Sequence, residues 1–584
     1  MVVRGRQIGD GQLSFSRRVL YSASVTKTTM ELPTNGLPTW QQKAEDKRQR
    51  ILSQLPSDFL HADLIYTLDD PSSVQDAPLK YLSPLELEIT RLDAPAIVAA
   101  VAQKKYAAVE VLNAFTHRAT IGHQLLNCCL DIPYHAALSR AKELDDYFAR
   151  TRKTVGPLHG LPISVKDQCR MIGTETTCGF IFPLEKTDTE DATIVKLLQD
   201  AGAIIFAKTN LSMGCMWGES MNNILPDRTC NPFNRTFSCG GSSGGEGALV
   251  GFHGSPIGIG TDLGGSIRSP SAYQGLFGLR PTSGRIPYYR MLNSMEGQQT
   301  VLSVAGPMAT SVEAVELFMK TIVQSQPWLQ DPGCIPLPWN QANVDSIASN
   351  GKLRIGVFDW DGVCFPQPPI RNAMKKAVVA LEAAGHELVT WKMDTLRAVE
   401  LILRVFRSDA AGDIYRKCAL SGESPMTTAC ERDGPSVSLL EDRDLAMEVL
   451  DFRAAMSRQW NDAGIDAYIS PVNPAVAPRH GDYSKVRYFA YTAVANVLDL
   501  PACTLPMGLV DPTADQADDV SLTRDTAGNV LPVPTCERDE IIRRKYGAEV
   551  YAGMPVTIQV VGRRFEDEKV IGIVKTISNL LGSK

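Results

Sequence analysis

The residues best suited to chemistry lie in two runs rich in glycine and serine. Residues 239–247 read Cys-Gly-Gly-Ser-Ser-Gly-Gly-Glu-Gly, and residues 258–268 read Gly-Ile-Gly-Thr-Asp-Leu-Gly-Gly-Ser-Ile-Arg. Because most of these positions carry no side chain or only a hydroxymethyl group, the backbone can approach a ligand closely. One such run alone is typical of a flexible turn. Two runs that frame one apolar segment indicate more than a linker and make a serine nucleophile the first hypothesis.

Other known motifs compete for the same segment. Residues 240–244 fit Gly-x-Ser-x-Gly, the nucleophile elbow of α/β-hydrolases, but that motif follows a buried strand and residues 234–238 are largely polar. A phosphate-binding loop requires Gly-Lys-Ser/Thr, whereas Glu246 follows the glycines here. The second run misses the dinucleotide-binding spacing by one position. The sequence therefore disfavours nucleotide binding and the hydrolase elbow.

A serine nucleophile needs a group that takes its proton, and residues 160–252 contain no histidine. Lys166 is the remaining candidate, because it follows the apolar run 161–165 at the predicted carboxyl end of a strand, where α/β sheets hold their sites. The ordinary pKa of a lysine is about 10.4. Lys166 can therefore act as a base near neutral pH only if its surroundings favour the neutral amine. Taken alone, a lysine next to Asp167 is more typical of a structural ion pair.

Three separated motifs occur in order along the chain: Gly-Leu-Pro-Ile-Ser-Val-Lys-Asp at 160–167, Gly-Gly-Ser-Ser-Gly-Gly-Glu at 240–246 and Gly-Thr-Asp-Leu-Gly-Gly-Ser-Ile-Arg at 260–268. Together they closely resemble the amidase signature family, over roughly residues 80–584. The wider sequence, including Asn-Ser-Met-Glu-Gly-Gln at 293–298, is most similar to the fungal acetamidases, and the related fatty acid amide hydrolases share the same loops. The resemblance implies an α/β/α sandwich around a central mixed sheet, and an amidohydrolase that uses no metal and no organic cofactor.

The resemblance also implies roles for three side chains. Lys166 is the base, Ser242 is the bridging serine in a cis peptide, and Ser266 is the serine that becomes acylated. Ser242 passes the proton of Ser266 Oγ to Lys166, and the same relay in reverse protonates the leaving ammonia. The two serines are 24 positions apart (266 − 242), which matches the family.

Further residues are predicted to bind the substrate or to support the loops. Ser243 supports its own loop, and Arg268 and Asp262 hold the second loop through hydrogen bonds and an ion pair. Backbone N–H groups of the second loop stabilise the oxyanion, with Ser242 and Cys215 also in contact with substrate. The oxyanion donors are Leu263, Gly264, Gly265 and Ser266.

Small aliphatic amides are the first prediction for the substrate. Longer acyl or aryl amides or esters are the alternative, because several residues could line an adaptable acyl pocket or could equally be core. These residues are Met213, Cys215, Met216, Trp217 and Met221. A second alternative is a noncatalytic subunit with the amidase fold, but all three catalytic positions are filled.

The composition excludes several other classes of protein. With 59 basic and 65 acidic residues and a formal net charge of −6, the chain has no electrostatic footprint for nucleic acid. No run approaches the ~18 consecutive apolar residues of a membrane-spanning helix. The 13 cysteines and 8 histidines show neither Cys-x-x-C pairs nor a metal-ligand motif. We expect a cytoplasmic enzyme with a small-molecule amide substrate, no metal and a possible homodimeric state.

The elements that must position these loops are indicated by hydrophobic periodicity. Residues 40–150 read as helical, with a capping box at Ser83–Glu86. From residue 154 onward, short apolar runs such as 161–165 and 203–207 predict buried strands that alternate with helices. Later segments predict a strand at 351–357, a helix at 371–384, and buried strands at 467–471 and 556–561.

Three regions follow from this reading: a tail at 1–30, an N-terminal helical extension at 31–80 and the amidase signature domain at 81–584. The first thirty residues are rich in arginine, serine and threonine and poor in acids, without an apolar core. That composition fits a mitochondrial leader. It equally fits a gene whose translation begins at Met30, with the preceding residues assigned to the protein in error. In either case we expect a tail without structure.

Overall fold

The structure is a computed structural model that describes residues 39–225, 227–348, 351–426, 434–519, 522–525 and 528–582. The described residues from Trp40 onward form one compact unit. The predicted tail at 1–30 lies outside the described residues. The boundary at residue 80 stays a prediction.

Most strands of the described chain belong to one large mixed sheet. The strands are β1 Cys129–Asp131, β2 Pro162–Lys166, β3 Ile204–Thr209, β4 Cys230–Asn231, β5 Asn234–Ser238, β6 Ile257–Asp262, β7 Phe277–Arg280, β8 Val304–Ala309, β9 Arg354–Val357, β10 Glu387–Thr390, β11 Ala467–Pro471, β12 Ala502–Leu509 and β13 Pro555–Gly562. Within the described residues the sheet has 11 strands in the order β1-β3-β2-β6-β8-β7-β12-β13-β11-β9-β10, and β4 and β5 form a separate ribbon. The pairs of β2 with β3 and β6, and of β9 with β10 and β11, are parallel, and the other pairs of the sheet are antiparallel.

Helices flank this sheet and complete an α/β/α sandwich, as the sequence predicts. They are α1 Trp40–Ser53, α2 Pro78–Tyr81, α3 Pro84–Thr90, α4 Ala94–Ala102, α5 Ala108–Leu126, α6 Tyr134–Thr151, α7 Thr193–Asp200, α8 Gly244–Gly251, α9 Arg268–Gln274, α10 Val312–Gln324, α11 Gln341–Ala348, α12 Pro368–Ala383, α13 Thr395–Phe406, α14 Gly412–Ala419, α15 Leu439–Ala463, α16 Tyr483–Val486, α17 Ala490–Leu498, α18 Glu537–Arg544 and α19 Asp567–Leu581. No helix among the residues described is long and apolar enough to cross a membrane.

The central strands are buried on both faces. Every residue of β2, β3, β6 and β13 is buried, so layers of other residues must cover the sheet on each side. Near-continuous apolar runs, rather than alternating ones, are the pattern expected for such strands. This explains why the runs at 161–165, 203–207 and 556–561 could be assigned from the sequence.

The other element predictions agree with the structure, with two corrections. The stretch 40–150, predicted as helical, also contains the strand β1 at Cys129–Asp131. The capping box at Ser83 is present, since Ser83 Oγ accepts from the Glu86 N–H and the Glu86 carboxylate accepts from the Ser83 N–H. The expectation that no buried strand precedes the first glycine-rich loop is wrong. Residues 234–238 form β5, and four of its five residues are buried. Some of its polar side chains bond locally, as when the Thr236 hydroxyl donates to Asn234 Oδ1 (2.7 Å), whereas Arg235 bonds to Ile65 and Asp70.

Candidate active site

Lys166 is the last residue of β2 and is completely buried. Because β2 runs parallel to β6, the carboxyl ends of both strands lie at the same edge of the sheet. Lys166 Nζ donates hydrogen bonds to Ser242 Oγ (2.6 Å) and to Thr261 Oγ1 (2.8 Å). The fold therefore brings the first and second predicted catalytic residues into direct contact.

A neighbouring lysine shows what a structural ion pair looks like in this fold. Lys208, on β3, is also completely buried, and its Nζ lies 3.2 Å from Asp167 Oδ1. The ion pair that the sequence suggested for Lys166 is thus made by Lys208. Within the described chain no carboxylate lies within ion-pair distance of Lys166, whose partners are hydroxyl groups.

The first glycine-rich loop connects β5 to α8 and presents Ser242 to the lysine. The Gly241–Ser242 peptide bond is cis, as the resemblance implies, and Ser242 is 1% exposed. Ser243 supports the loop as predicted: its Oγ donates to the Thr261 carbonyl oxygen (3.2 Å) and accepts from the Thr261 N–H (3.1 Å). The two loops also meet directly, since the Ser243 N–H donates to the Ser266 carbonyl oxygen (3.2 Å).

Ser266 lies between β6 and α9 and faces a cavity. It is partly exposed, whereas Ser242 and Lys166 are buried. Among the described residues, the Ser266 hydroxyl makes no hydrogen bond. The arrangement therefore contains the Lys166–Ser242 contact of the predicted relay, with Ser266 on the side that a substrate can reach.

A buried ion pair holds the second loop in place, as predicted. Arg268 Nε lies 3.0 Å from Asp262 Oδ2, and both side chains are completely buried. Asp262 Oδ1 also accepts from Asn496 Nδ2 (2.8 Å) and from the Gly265 N–H (2.8 Å). Burial alone would raise the pKa of Asp262, but the Arg268 guanidinium and these donors hold it well below its usual range. The carboxylate therefore stays charged and ties β6, the loop and α17 together.

The glycines of this loop are required by close packing. Gly265 has φ of +122°, and a Cβ there would lie 2.6 Å from Thr492 Oγ1. Thr492 Oγ1 in turn donates to the Gly264 carbonyl oxygen (2.8 Å). Of the four predicted oxyanion donors, the Gly265 N–H is already engaged by Asp262, while those of Leu263, Gly264 and Ser266 bond to no other described residue.

A polar network behind the loops was not found by the sequence analysis. Thr261 Oγ1, which accepts from Lys166, donates to Gln168 Oε1 (2.6 Å), and Cys215 Sγ donates to the same oxygen (3.2 Å). Thr261 and Gln168 each lie within two positions of a residue in the predicted machinery, at the carboxyl ends of β6 and β2. Their position, as polar residues next to the carboxyl ends of predicted buried strands, was the feature of the sequence that could have identified them.

The cavity beside Ser266 has a volume of about 730 Å³, including its open mouth. It is lined in part by aromatic side chains: Trp217, Tyr273, Phe406, Tyr483, Tyr488 and Phe489. Of the residues predicted to form an acyl pocket, Cys215, Met216 and Trp217 line it. Met213 and Met221 do not line it, and Met213 is completely buried in a core cluster with Phe180 and Leu211.

One group of side chains outside this site has the composition of a metal site. Single ligand atoms of His123, Cys128 and Cys129 lie within 4.8 Å of one another. The sequence analysis recognised no such spacing, because the group combines a helix end with the adjacent strand β1. The Cys129 N–H donates to His123 Nδ1 (3.3 Å), so that nitrogen already has a partner.

Comparisons with known proteins agree with this geometry. The profile of the family described as Amidase matches residues 110–571. The chain is 39% identical to an acetamidase of Emericella nidulans over 93% of this chain and 99% of that protein, and 38% identical to an acetamidase of Aspergillus oryzae over the same shares. The solved structure of a fatty acid amide hydrolase superposes with a TM-score of 0.85 at 32% identity, covering 93% of this chain and 95% of that chain. The chain belongs to the amidase signature family and is an amide hydrolase.

Proposed function

We propose that this protein hydrolyses primary carboxamides to the acid and ammonia through an acyl-enzyme on Ser266. The observation that carries the proposal is the contact between Lys166 Nζ and Ser242 Oγ (2.6 Å) directly behind the cavity-facing Ser266. Acting as a base requires Lys166 in its neutral form, and the described residues supply no carboxylate that would pair with its ammonium ion.

In the proposed first step, Lys166 takes the proton of Ser242, which takes the proton of Ser266 as its Oγ attacks the amide carbonyl. The negative charge that develops on the carbonyl oxygen is stabilised by backbone donors of the second loop. The unengaged N–H groups of Leu263, Gly264 and Ser266 are suited to this role, with Gly265 shaping the turn. The relay then returns a proton to the departing ammonia.

In the second step, water attacks the acyl-enzyme with the same groups acting as general base. The first step forms the ester bond between Ser266 Oγ and the acyl carbon and breaks the C–N bond. The second step forms a C–O bond to water and breaks the ester bond, which regenerates the Ser266 hydroxyl. No step requires a metal or an organic cofactor.

Small aliphatic amides are the proposed substrates, because the two acetamidases resemble this chain along nearly its whole length. The cavity supports a second candidate. Its apolar and aromatic lining suits longer acyl or aryl groups as well. A cytoplasmic location and a homodimer stay predictions.

A hydrolysis screen tests the proposal. Release of ammonia is measured for acetamide, propionamide, butanamide, hexanamide and benzamide with the wild type and with Ser266→Ala and Lys166→Met. We expect turnover of at least one amide, its loss in Ser266→Ala, and a decrease of several orders of magnitude in Lys166→Met with the fold retained. Ser346→Ala, on the exposed face of α11, is the matched control and keeps full activity.

Lys208→Met is the matched control for the lysine. Its removal leaves Asp167 buried without its cation, so we expect mainly a lower melting temperature. Undiminished turnover in Ser266→Ala would contradict the mechanism and would favour a noncatalytic role for these loops.

A further inference from the structure

The described lining of the cavity carries positive charge and no negative charge. Among the described residues that line it, Arg487 is the only charged side chain, and no acid faces the cavity from the lining. The remaining lining residues are apolar, aromatic or neutral and polar. A cavity with one fixed cation attracts a ligand that carries the opposite charge.

Arg487 has no counter-ion within the described part of the chain. Glu219, which follows the lining residue Gly218, instead lies 3.6 Å from Arg228 Nε. Asp361 accepts hydrogen bonds from the Tyr488 hydroxyl and the Val363 N–H. Burial raises the pKa of the neighbouring Tyr483, so its phenol is neutral and leaves the charge of the arginine uncompensated.

Aromatic contacts orient the guanidinium of Arg487. Its central carbon lies 5.0 Å from the ring centroid of Trp217 and 5.0 Å from that of Phe489. Stacking uses the faces of a guanidinium and leaves its N–H groups to bond acceptors at the edge. The Tyr483 hydroxyl accepts a hydrogen bond from this edge. The remaining edge donors match a carboxylate, which accepts two parallel hydrogen bonds from a guanidinium.

A buried amide donor in the lining has no hydrogen-bond partner among the described residues. Asn473 is 6% exposed, and its buried Nδ2 makes no hydrogen bond, while its Oδ1 accepts from Ser269 Oγ (3.3 Å). A buried amide N–H without an acceptor is costly unless a ligand supplies one. The Arg487 guanidinium and the Asn473 amide can therefore both donate hydrogen bonds to an acceptor group of a ligand in the cavity that contains Ser266.

We propose that the preferred substrates are monoamides of dicarboxylic acids, with Arg487 and Asn473 binding the distal carboxylate of the acyl group. This inference rests on the proposed function: because the leaving group of a primary amide is ammonia, any additional acceptor must belong to the acyl part. Hydrolysis of such a substrate breaks its C–N bond and yields the dicarboxylate and ammonia.

Succinamate and butanamide form a matched pair of four-carbon amides that differ in the distal carboxylate. We expect kcat/KM to be at least tenfold higher for succinamate. A hydrogen bond to a charged group contributes about 1.5–3 kcal/mol, and about 1.4 kcal/mol corresponds to a factor of ten. In Arg487→Met, which retains an unbranched side chain without the charge, this ratio falls at least tenfold. Arg487→Lys, which retains the charge, keeps part of the preference. Malonamate, glutaramate and adipamate then locate the optimal chain length.

The control is Arg563→Met, because Arg563 also stacks on a tryptophan, Trp460 (5.4 Å), but does not line the cavity. Its substrate ratio should equal that of the wild type. Inhibition of the unaltered protein by succinate and by butyrate is a second readout that needs no variant. Succinate should bind at least tenfold more tightly than butyrate. Added salt should weaken the binding of succinate more than it weakens the binding of butyrate.

Equal kcat/KM for the two amides in the wild type would overturn the inference. So would an equal loss for both substrates in Arg487→Met, since Arg487 would then only support Trp217 and Phe489. If butanamide is hydrolysed and Ser266→Ala is inactive, such results leave the proposed function standing. If no amide is hydrolysed, the proposed function fails, and binding of succinate, measured by calorimetry, still decides whether the anion subsite exists.

Discussion

The most quantitative prediction concerns Glu246, which supports the strands behind the candidate site. Its carboxyl group accepts hydrogen bonds from Ser164 Oγ (2.6 Å) on β2 and Thr209 Oγ1 (2.8 Å) on β3. A Cβ on Gly258 would lie 2.0 Å from Glu246 Oε2, so the carboxyl group is tightly enclosed. Burial raises the pKa of Glu246 from 4.5 to about 8, although both hydroxyl donors oppose the rise.

The sign of the effect on stability follows from proton binding. Between pH 4.5 and about 8, the folded state keeps a proton that the unfolded state has lost. The free energy of unfolding therefore falls as pH rises through this range. From pH 5 to 8 the loss is about 3–4 kcal/mol, because the slope approaches 1.36 kcal/mol for each pH unit only in the middle of this range. For a chain of this size, that corresponds to a decrease in Tm of roughly 3–4 °C.

Glu246→Gln removes this titration and retains a neutral group of similar shape. Thermal unfolding is measured from pH 5 to 9 for the wild type, for Glu246→Gln and for Glu143→Gln, whose side chain is 62% exposed. We expect the Tm of Glu246→Gln, relative to that of the wild type, to rise by several degrees over this range. Glu143→Gln should show no such trend. A difference that is flat or that falls with pH would refute the proposed protonation of Glu246.

Three further predictions follow from the site. Asp262→Asn leaves Arg268 buried without its counter-ion, so the free energy of unfolding, measured with denaturant, should fall by about 3–5 kcal/mol. A decrease below about 1 kcal/mol would contradict the structural role of the pair. Gly265→Ala places a Cβ against Thr492 at a positive φ, so kcat should fall at least tenfold, and unchanged kcat would show that the loop tolerates displacement. Saturating chelator should leave turnover unchanged, because the proposed steps use no metal, whereas a loss restored by Zn²⁺ would show that a metal was overlooked.

The sequence could predict the parts of the site that lie in contiguous motifs. Lys166, Ser242 and Ser266 were each marked by a strand end or a glycine-rich loop, and the structure brings the motifs together because β2 and β6 are parallel neighbours. Strands such as β11, predicted at its observed bounds, were recognisable because buried strands form continuous apolar runs.

The cavity wall could not be predicted in the same way. Asn473 and Arg487 lie more than 200 positions after Ser266 and carry no local motif. They reach the site through long-range packing around the sheet, which periodicity does not report. The partner of Asp167 could not be predicted either. Asp167 directly follows Lys166, the last residue of β2, but its cation is Lys208 on the neighbouring strand β3.

The central claim is that Ser266 carries the acyl group, and mapping of the acyl-enzyme tests it most directly. The protein is mixed with p-nitrophenyl butyrate and quenched with acid during turnover. It is then digested with chymotrypsin, which cleaves after Phe252 between the two serines, and analysed by mass spectrometry. We predict one butyryl group on the peptide that contains Ser266 and none in Ser266→Ala. A butyryl group on the peptide that contains Ser242, or equal labelling of the Ser266→Ala variant, would contradict the proposed mechanism.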